Sequence, residues 1–239
     1  LHRIVKGQTS VQCEDFYDEE MRPVDIPISP ILSPNQNAAK YYKDYARMKN
    51  AEKELTKQLE LGRLELDYLK SVLEELNRAG TEGELEEIRR ELQEGGYLRP
   101  DTDRKRMKQA KLPPMRFEST DGYPIYVGRN NRQNDKLTLH TARGKDLWFH
   151  VQKAPGSHVV VMSRGEDIPD TTRQEAAELA VIYSSAYKAG TGAKVAVDTT
   201  EVKNIWKANG AKPGMVLYEV YTTVYITPRE GLEEGLKKK

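Results

Sequence analysis

A repeat of apolar residues with strict 4,3 spacing is the feature that most constrains the fold of this chain. It begins at Tyr41, ends at Leu76 and keeps its register without a slip, and only Glu52 and Gly62 break the apolar rule. A 3.5-residue repeat of this length predicts a coiled-coil seam rather than the broader apolar stripe of a globular helix. The leucines of this seam are Leu55, Leu59, Leu66, Leu69, Leu73 and Leu76.

A coiled-coil seam requires a partner helix. The helix that contains the seam is predicted over residues 35–79, after the N-cap signal Ser33-Pro34-Asn35 and before Gly80. The next predicted helix, Glu82 to Glu94, carries Leu85, Ile88 and Leu92 on one face and can cover at most about a third of the seam. The partner therefore lies in an upstream segment or in a second copy, and we expect this chain to self-associate.

The rest of the sequence predicts an α+β fold, with a β-hairpin before the long coiled-coil helix and a compact mixed α/β domain after it. The runs SVQCEDFY and RPVDIPI predict the hairpin, and the composition shifts after Pro113-Pro114 toward short elements rich in glycine and valine. The predicted regions are a hairpin at 1–34, a coiled-coil middle region at 35–95, a basic linker at 96–116, the compact domain at 117–230 and a flexible tail at 231–239.

Within the compact domain, alternating patterns and turn signals predict six strands and two helices. Strands are predicted near 124–128, 146–151, 157–163, 193–198, 215–220 and 222–227, and helices near Asn134 to Ala142 and Thr171 to Ala189. In the strand at 146–151, period-2 alternation places Asp146, Trp148 and His150 on one face. The other three side chains, Leu147, Phe149 and Val151, are expected to point into the core.

Composition excludes several classes of protein. The mean hydropathy is -0.76, and 31% of the residues are charged. The sequence contains no apolar run long enough for a membrane span, and the first residues lack a secretory signal. The single cysteine, Cys13, excludes an internal disulfide and favours a reducing, cytoplasmic location. Because the chain opens with Leu1 rather than Met, we expect it to be a fragment of a longer protein.

Charge is concentrated in the predicted linker, where residues 96–116 hold seven basic and two acidic residues. Such an island can meet phosphate, or it can be a solvated linker that its own charges keep extended. The sequence does not decide between these two interpretations.

Catalysis and metal binding are not expected. His140, His150 and His158 are candidate metal ligands, but their spacing matches no metal motif that has a physical justification. Ser157 beside His158 lacks a visible oxyanion hole or orienting acid for nucleophilic catalysis. We therefore expect no enzyme activity, no metal and no cofactor, although a metal-dependent hydrolase remains a third hypothesis.

A binding surface for nucleic acid fits these residues better. Arg129 and Arg132 lie in a turn before a helix N-terminus, and an exposed Trp148 or His150 can stack on an unpaired base. Three further cations surround Trp206: Lys203, Lys207 and Lys212. The alternative is structural: Asn134 or Asp135 caps the helix, and Trp148 and Trp206 belong to the core.

The run DGYPIYVGRNNRQNDKLTLHTARGKDLWFHVQKAPGSHVVV, followed by NGAKPGMVLY and TTVYITP, resembles the RNA-binding module of the NFACT family. The upstream IPISPILSPNQNAAKYYKDYARMKNA and EIRRELQEGGYL are similar to its bacterial branch, the fibronectin-binding protein A-like or RqcH ribosome quality control proteins. The resemblance covers nearly the whole chain and rests on long motifs that recur in order.

The resemblance implies a ribosome quality control factor that binds large ribosomal subunits with stalled peptidyl-tRNA and recruits tRNA for alanine tailing. It also implies that an earlier helix, absent here, pairs with the seam. In Gram-positive cocci the family is also described as a surface adhesin for fibronectin or fibrinogen, a location for which this sequence carries no signal peptide.

Carried over by motif, the resemblance assigns RNA contact, or scaffolding of the contact face, to ten positions. They are Arg129, Asn130, Arg132, Asn134, Asp135, Asp146, Trp148, His150, Ser157 and His158. One departure is Asp198-Thr199-Thr200-Glu201, where the family pattern is more basic, so phosphate affinity there is expected to be weaker.

Overall fold

A computed structural model describes residues 4–5, 7–100, 112–187 and 192–237. It divides the chain into two compact units, residues 1–63 and residues 64–239, with the boundary inside one long helix. Most of the predicted basic linker, residues 101–111, lies outside the described residues. No described helix has the length and apolar character needed to cross a bilayer.

The first unit contains the predicted β-hairpin and the start of the long helix. Strands β1 (Ser10–Glu14) and β2 (Pro23–Pro27) pair antiparallel, and helix α1 (Pro34–Arg78) follows. The Ser33 hydroxyl accepts a hydrogen bond from the backbone N–H of Gln36, and the Gln36 side chain accepts one from the Ser33 N–H. This reciprocal pair satisfies backbone donors at the helix start, so the predicted N-cap is confirmed.

In the second unit, the last part of α1 packs against helix α2 (Glu82–Glu94) through a small apolar cluster. Tyr68 and Val72 of α1 contact Ile88 of α2, and all three side chains are buried. Thr81 caps α2 in a reciprocal capping box with Glu84. The residues of α1 that α2 covers are therefore not the seam residues, which agrees with the expectation that α2 can cover at most about a third of the seam.

The seam leucines are exposed to solvent along the length of α1. Their exposed fractions lie between 38% at Leu69 and 63% at Leu55 and Leu59. Among the described residues, no helix covers this row of leucines, and its heptad spacing is the spacing of a coiled-coil seam.

The second unit is built on a six-stranded antiparallel sheet with strand order β10-β7-β5-β6-β4-β3. The strands are β3 (Met115–Glu118), β4 (Pro124–Val127), β5 (Leu147–Val151), β6 (Val159–Val161), β7 (Val195–Glu201) and β10 (Thr222–Ile226). A separate pair, β8 (Ile205–Trp206) and β9 (Leu217–Tyr218), lies apart from the sheet order. Each predicted strand overlaps an observed one, and β3 and β8 are additional.

Both faces of the sheet are covered. Helix α4 (Asp170–Ile182) packs on one face, over a core that contains Phe149 and Val197. The other face buries Trp148 and Val160 beneath a layer that includes Leu137 and Ile205. Alternation along β5 therefore separates two apolar cores. Leu147, Phe149 and Val151 point into one core as predicted, but the face of Trp148 and His150 is also covered, so the predicted exposure of these two side chains is wrong.

Three other predicted boundaries change. The helix expected from Asn134 begins earlier, as α3 (Asn131–Lys136), and continues as a π-helical turn (Leu137–Thr141). Helix α4 ends at Ile182, seven residues before the predicted Ala189, which lies outside the described residues. The predicted tail contains helix α5 (Leu232–Leu236), and Leu236 is buried in the core, so residues 232–236 are not a flexible tail.

The exposed seam generates a prediction about association. Replacing Leu66 and Leu69 with lysine should convert a self-associating chain into a monomer, because the two charges would fall at adjacent core positions of the coiled coil. The mass is measured by multi-angle light scattering. Leu61→Lys with Leu64→Lys is the matched control, because these leucines are equally exposed but lie off the seam. An unchanged mass in the seam variant, or an equal decrease in the control, would contradict the prediction.

Candidate nucleic-acid interface

The turn that carries the predicted RNA-contact residues connects β4 to α3. The backbone at Asn130 is extended, and its side-chain oxygen accepts a hydrogen bond from the Gln133 N–H, 2.9 Å away, which caps α3. Gly128 is required beside this cap, because any side chain there would collide with the amide of Asn134. That amide oxygen in turn accepts a hydrogen bond from the His158 N–H at 3.0 Å.

Helix α2 presents a row of carboxylates to this turn, which we call the acidic face of α2: Glu84, Glu87, Glu91 and Glu94. Their 3,4,3 spacing places them on one side of the helix. Each carboxylate receives at least one donor from residues 129–133. The donor-to-acceptor distances are 2.6 Å from Arg129 to Glu84, 2.6 Å from Asn130 to Glu87, 3.0 Å from Gln133 to Glu87 and 3.3 Å from Asn131 to Glu91, and Arg132 pairs with Glu94.

A second set of contacts joins α1 to the sheet domain. The guanidinium of Arg78 donates to the Ser157 hydroxyl at 3.0 Å and to the Tyr183 carbonyl at 2.8 Å. Asn131 donates to the Ser71 hydroxyl at 2.9 Å. Hydrogen bonds therefore connect the turn at 129–133 to α2 and to the end of α1, and they connect α1 to the sheet domain.

The electrostatics of this junction are divided between ionised and buried carboxyls. Burial opposes ionisation of Glu84, but hydrogen bonds from the Gly80 N–H and from Arg129 outweigh it, so the pKa of Glu84 lies below its ordinary value. Burial raises the pKa of Glu75 well above its ordinary value, and the nearby Glu91 adds to this rise. Burial also raises the pKa of Glu91, against hydrogen bonds from Tyr68 and Asn131 that lower it.

The two arginines of the turn are consequently paired with protein carboxylates, Arg129 in a partly buried pair and Arg132 in an exposed one. The Arg129 side chain is 28% exposed and also donates to the Pro113 carbonyl at 2.9 Å. A phosphate at Arg129 or Arg132 would have to displace a carboxylate that already satisfies the guanidinium. These residues are positioned to fasten the domain to α2.

The predicted stacking residues are part of the core. Trp148 is 1% exposed. Its ring lies nearly parallel to that of His150, with centroids 5.6 Å apart, and its centroid is 4.9 Å from that of Tyr218. His158 is buried against the edge of Trp148, and its Nδ1 lies 2.8 Å from the Thr138 hydroxyl. Burial lowers the pKa of His150 and lowers that of His158 further below its ordinary value. The structural alternative considered for Trp148 is therefore the one observed.

The remaining polar positions of the motif also have internal partners. Asp146 accepts hydrogen bonds from the Ser163 N–H and from the Arg143 N–H, each at 2.8 Å. Ser157 donates to the Gly128 carbonyl at 2.6 Å, and Asp135 accepts from the Gly214 N–H at 3.1 Å. These contacts close turns and join loops.

The three predicted lysines differ in what they contact. Lys203 is exposed and pairs with Glu201 at 2.6 Å, and Lys207 pairs with Asp135. Lys212 lies over the rings of Tyr97 and Tyr68, at 4.9 Å and 5.6 Å from their centroids. This cation–π contact holds Lys212 against the α1–α2 junction rather than in solvent.

The feature that sequence reasoning missed is the acidic face of α2. Its signal was present as four glutamates at 3,4,3 spacing on the helix that also carries Ile88 and Leu92. In isolation, such a row is typical of a solvated helix face, and only the fold brings the turn at 129–133 against it. Among the residues that the structure describes, no three histidine, cysteine or acidic side chains form a group that could hold a metal ion.

Comparison with known proteins gives consistent matches along the chain. Residues 1–111 match the model of the NFACT N-terminal and middle domains, and residues 114–219 match that of the NFACT protein RNA binding domain. The chain is 38% identical over 240 residues to the Rqc2 homolog RqcH of Bacillus subtilis and 40% identical over 239 residues to that of Streptococcus pneumoniae. All of this chain is aligned in each case, but it spans only 41% and 42% of those two relatives.

A solved structure is similar over most of the chain. It is the C-terminal part of the fibronectin/fibrinogen-binding protein from Streptococcus suis, with a TM-score of 0.77 and 40% identity. The match covers 85% of this chain and 80% of that one.

The junction predicts a specific coupling energy. In a double-mutant cycle of Glu84→Ala and Arg129→Ala, we expect coupling of about 1.5–3 kcal/mol, because this charged hydrogen bond is largely shielded from water. The matched pair is Glu94 with Arg132, whose side chains are 57% and 39% exposed, and its coupling should stay below about 1 kcal/mol. Free energies of unfolding come from urea titration, and equal coupling in both cycles would contradict the assignment.

The buried Glu75 predicts a pH dependence of stability. A carboxyl whose pKa is raised on folding stabilises the folded state fully below its unfolded pKa, near 4.5, and that stability is lost as the pH rises toward the folded value. Glu75→Gln keeps the size of the side chain without the charge. The variant should therefore gain stability relative to the unmodified chain as the pH rises from about 5 to about 8.

Thermal unfolding at a series of pH values measures this difference. Glu60→Gln, at an exposed position of α1, serves as the control and should show a nearly constant difference. A constant difference for Glu75→Gln as well would show that Glu75 ionises without cost in the folded state.

Proposed function

The chain belongs to the NFACT family, and on that premise we propose that it is the coiled-coil and RNA-binding portion of a ribosome quality control factor. The proposal rests on two matches, one to a single domain and one to the whole chain. Residues 114–219 match a domain model defined by RNA binding, and the whole chain aligns with RqcH proteins.

In the fuller form of the proposal, this portion binds large ribosomal subunits that carry a stalled nascent chain, contacts tRNA and supports alanine tailing. Its role is to bind and position RNA, with no catalytic step performed by these residues and no cofactor. The cytoplasm, where ribosomes are found, is the proposed location.

The architecture of the second unit supports a positioning role. The acidic face of α2 and Arg78 of α1 hold the helices against the sheet domain through hydrogen bonds between side chains and through an ion pair at Glu84. A helix pair fastened in this way fixes the orientation of the RNA-binding domain. A fixed orientation between the helices and the domain suits a protein that has to bind at a defined position on a large assembly.

A second candidate function is binding of fibronectin or fibrinogen at the cell surface. It is favoured by one observation, the name of the structurally similar Streptococcus suis protein, which describes it as fibronectin/fibrinogen-binding. Surface labelling of intact cells tests this role directly, because an adhesin has to be accessible outside the cell.

Binding to purified large ribosomal subunits, tRNA and fibronectin, measured side by side across a salt series, tests the two functions. We expect affinity for subunits and tRNA that falls steeply with salt, because phosphate contacts release counterions, and weak binding to fibronectin. If the chain showed no salt-dependent affinity for either RNA-containing partner, the direct RNA-binding role would be excluded. Tight fibronectin binding without ribosome affinity would favour the adhesin.

A further inference from the structure

A cationic surface lies on the side of the sheet opposite α4. It is formed by the π-helical turn at 137–141, the turn at 143–146, the short 3-10 turn at 202–204 and strand β8. The Lys203 N–H donates to the Gly144 carbonyl at 3.2 Å, and the Val202 N–H donates to the Asp146 carbonyl at 2.9 Å. Strand β8 packs against the π-helical turn. Four segments that are separate in sequence therefore form one continuous surface.

The side chains on this surface are exposed and mostly basic. We define the basic surface by five residues: Lys136, at the end of α3, and His140, Arg143, Lys145 and Trp206. Lys203 is not part of it, because its side chain pairs with Glu201 and lines a cavity beside α4. In the described part of the chain, Lys136, Arg143 and Lys145 have no ion-pair partner, which distinguishes them from the arginines of the 129–133 turn.

The acidic groups beside the basic surface are already engaged. Asp146 is buried and its two oxygens accept hydrogen bonds from Ser163 and from the Arg143 N–H. Glu201 pairs with Lys203, and Asp135 pairs with Lys207. Lys136, Arg143 and Lys145 therefore keep positive charges that no carboxylate of the described residues pairs with, and this is the electrostatic character that phosphates bind.

Two of the cations are held by a rigid turn. The Asp146 N–H donates to the Arg143 carbonyl at 2.8 Å, and the Asp146 carboxylate accepts from the Arg143 N–H at 2.8 Å. Gly144 has a φ of 41°, in the left-handed region, which permits the tight bend between Arg143 and Lys145. Because these hydrogen bonds already close the turn, ligand binding here does not have to order the backbone, and only the side chains lose freedom.

An exposed indole completes the surface. Trp206 is 44% exposed, whereas Trp148, the other tryptophan, is buried. An accessible aromatic face among cations is the arrangement by which proteins stack unpaired bases while holding the phosphates on either side. A paired duplex offers phosphates but no free base face to the indole.

We propose that the basic surface binds single-stranded RNA, with Lys136, Arg143 and Lys145 contacting phosphates and Trp206 stacking on an unpaired base. This inference rests on the proposed RNA-binding function and assigns that function to residues outside the motif turn.

The first test removes the cations. Lys136→Ala, Arg143→Ala and Lys145→Ala are combined in the whole chain, and binding of a fluorescently labelled oligouridylate is measured by anisotropy across a salt series. The slope of log K against log salt should fall by about two, at about 0.7 for each phosphate that is no longer neutralised, with at least about a tenfold decrease in affinity at low salt. The matched control combines Arg116→Ala, Lys153→Ala and Lys194→Ala, three exposed cations elsewhere on the same unit, and should keep the original slope.

The second test addresses the indole. Trp206→Ala should weaken oligouridylate binding on the order of tenfold without changing the salt slope, and Trp206→Phe should restore most of the affinity, because stacking needs an aromatic face rather than a charge. RNA should quench the tryptophan fluorescence of the unmodified chain and leave that of Trp206→Phe unchanged, since Trp148 is buried. Circular dichroism of each variant confirms that the fold is retained.

The outcomes separate this inference from the function on which it rests. If the unmodified chain bound oligouridylate with the expected salt dependence and the two triple variants behaved alike, the basic surface would be excluded while RNA binding stood. A lack of salt-dependent binding to any RNA by the unmodified chain would overturn both. Equal affinity for duplex RNA with no effect of Trp206→Ala would refute the single-strand assignment. Loss of large-subunit binding in the triple variant, with oligouridylate binding unchanged, would exclude single-stranded RNA as the ligand of the basic surface.

Discussion

The second unit depends on the match between the acidic face of α2 and the donors of the turn at 129–133. Each carboxylate of that face takes a donor from the turn, and the same turn caps α3 and borders the core histidines. Hydrogen bonds between charged and polar groups are strong only when both partners are held in place. Here the capping box of α2 and the Asn130 cap of α3 hold the two sides, so local helix chemistry underlies the contact between helices and sheet.

Much of the fold was predictable because its elements have strong local signals. The cap at Ser33 and the long 4,3 repeat define α1, and the apolar face of Leu85, Ile88 and Leu92 defines α2, nearly to the residue. The sheet was harder to predict from the sequence, because β5 is buried on both faces. Trp148 and His150 alternate with Leu147 and Phe149, and this pattern is also typical of a strand with one exposed face. Strands as short as β8 carry too few residues to show a period, and only pairing in the folded chain defines them.

The candidate site was less predictable than the fold for a related reason. A motif preserves the order of residues but does not say whether a polar side chain meets solvent or another part of the chain. Arg129 could bind phosphate, but in the folded chain its guanidinium donates a hydrogen bond to Glu84, which lies 45 positions away in the sequence. Lys145 was not singled out in the sequence, and Trp206 could equally have belonged to the core; only the fold shows that both side chains are exposed.

The junction also has a consequence for dissecting the protein into parts. A domain boundary drawn at residue 117, where the composition changes, would separate the turn from every glutamate that now neutralises it. In the excised domain, Arg129 and Arg132 would lose their carboxylate partners, and the amides of the turn would lose their acceptors. The turn would then bind anions more strongly than it does in the longer chain. Nucleic-acid affinity measured on such a piece would then report the cut surface, and the helix pair has to be retained for the charge pattern of the domain to be its own.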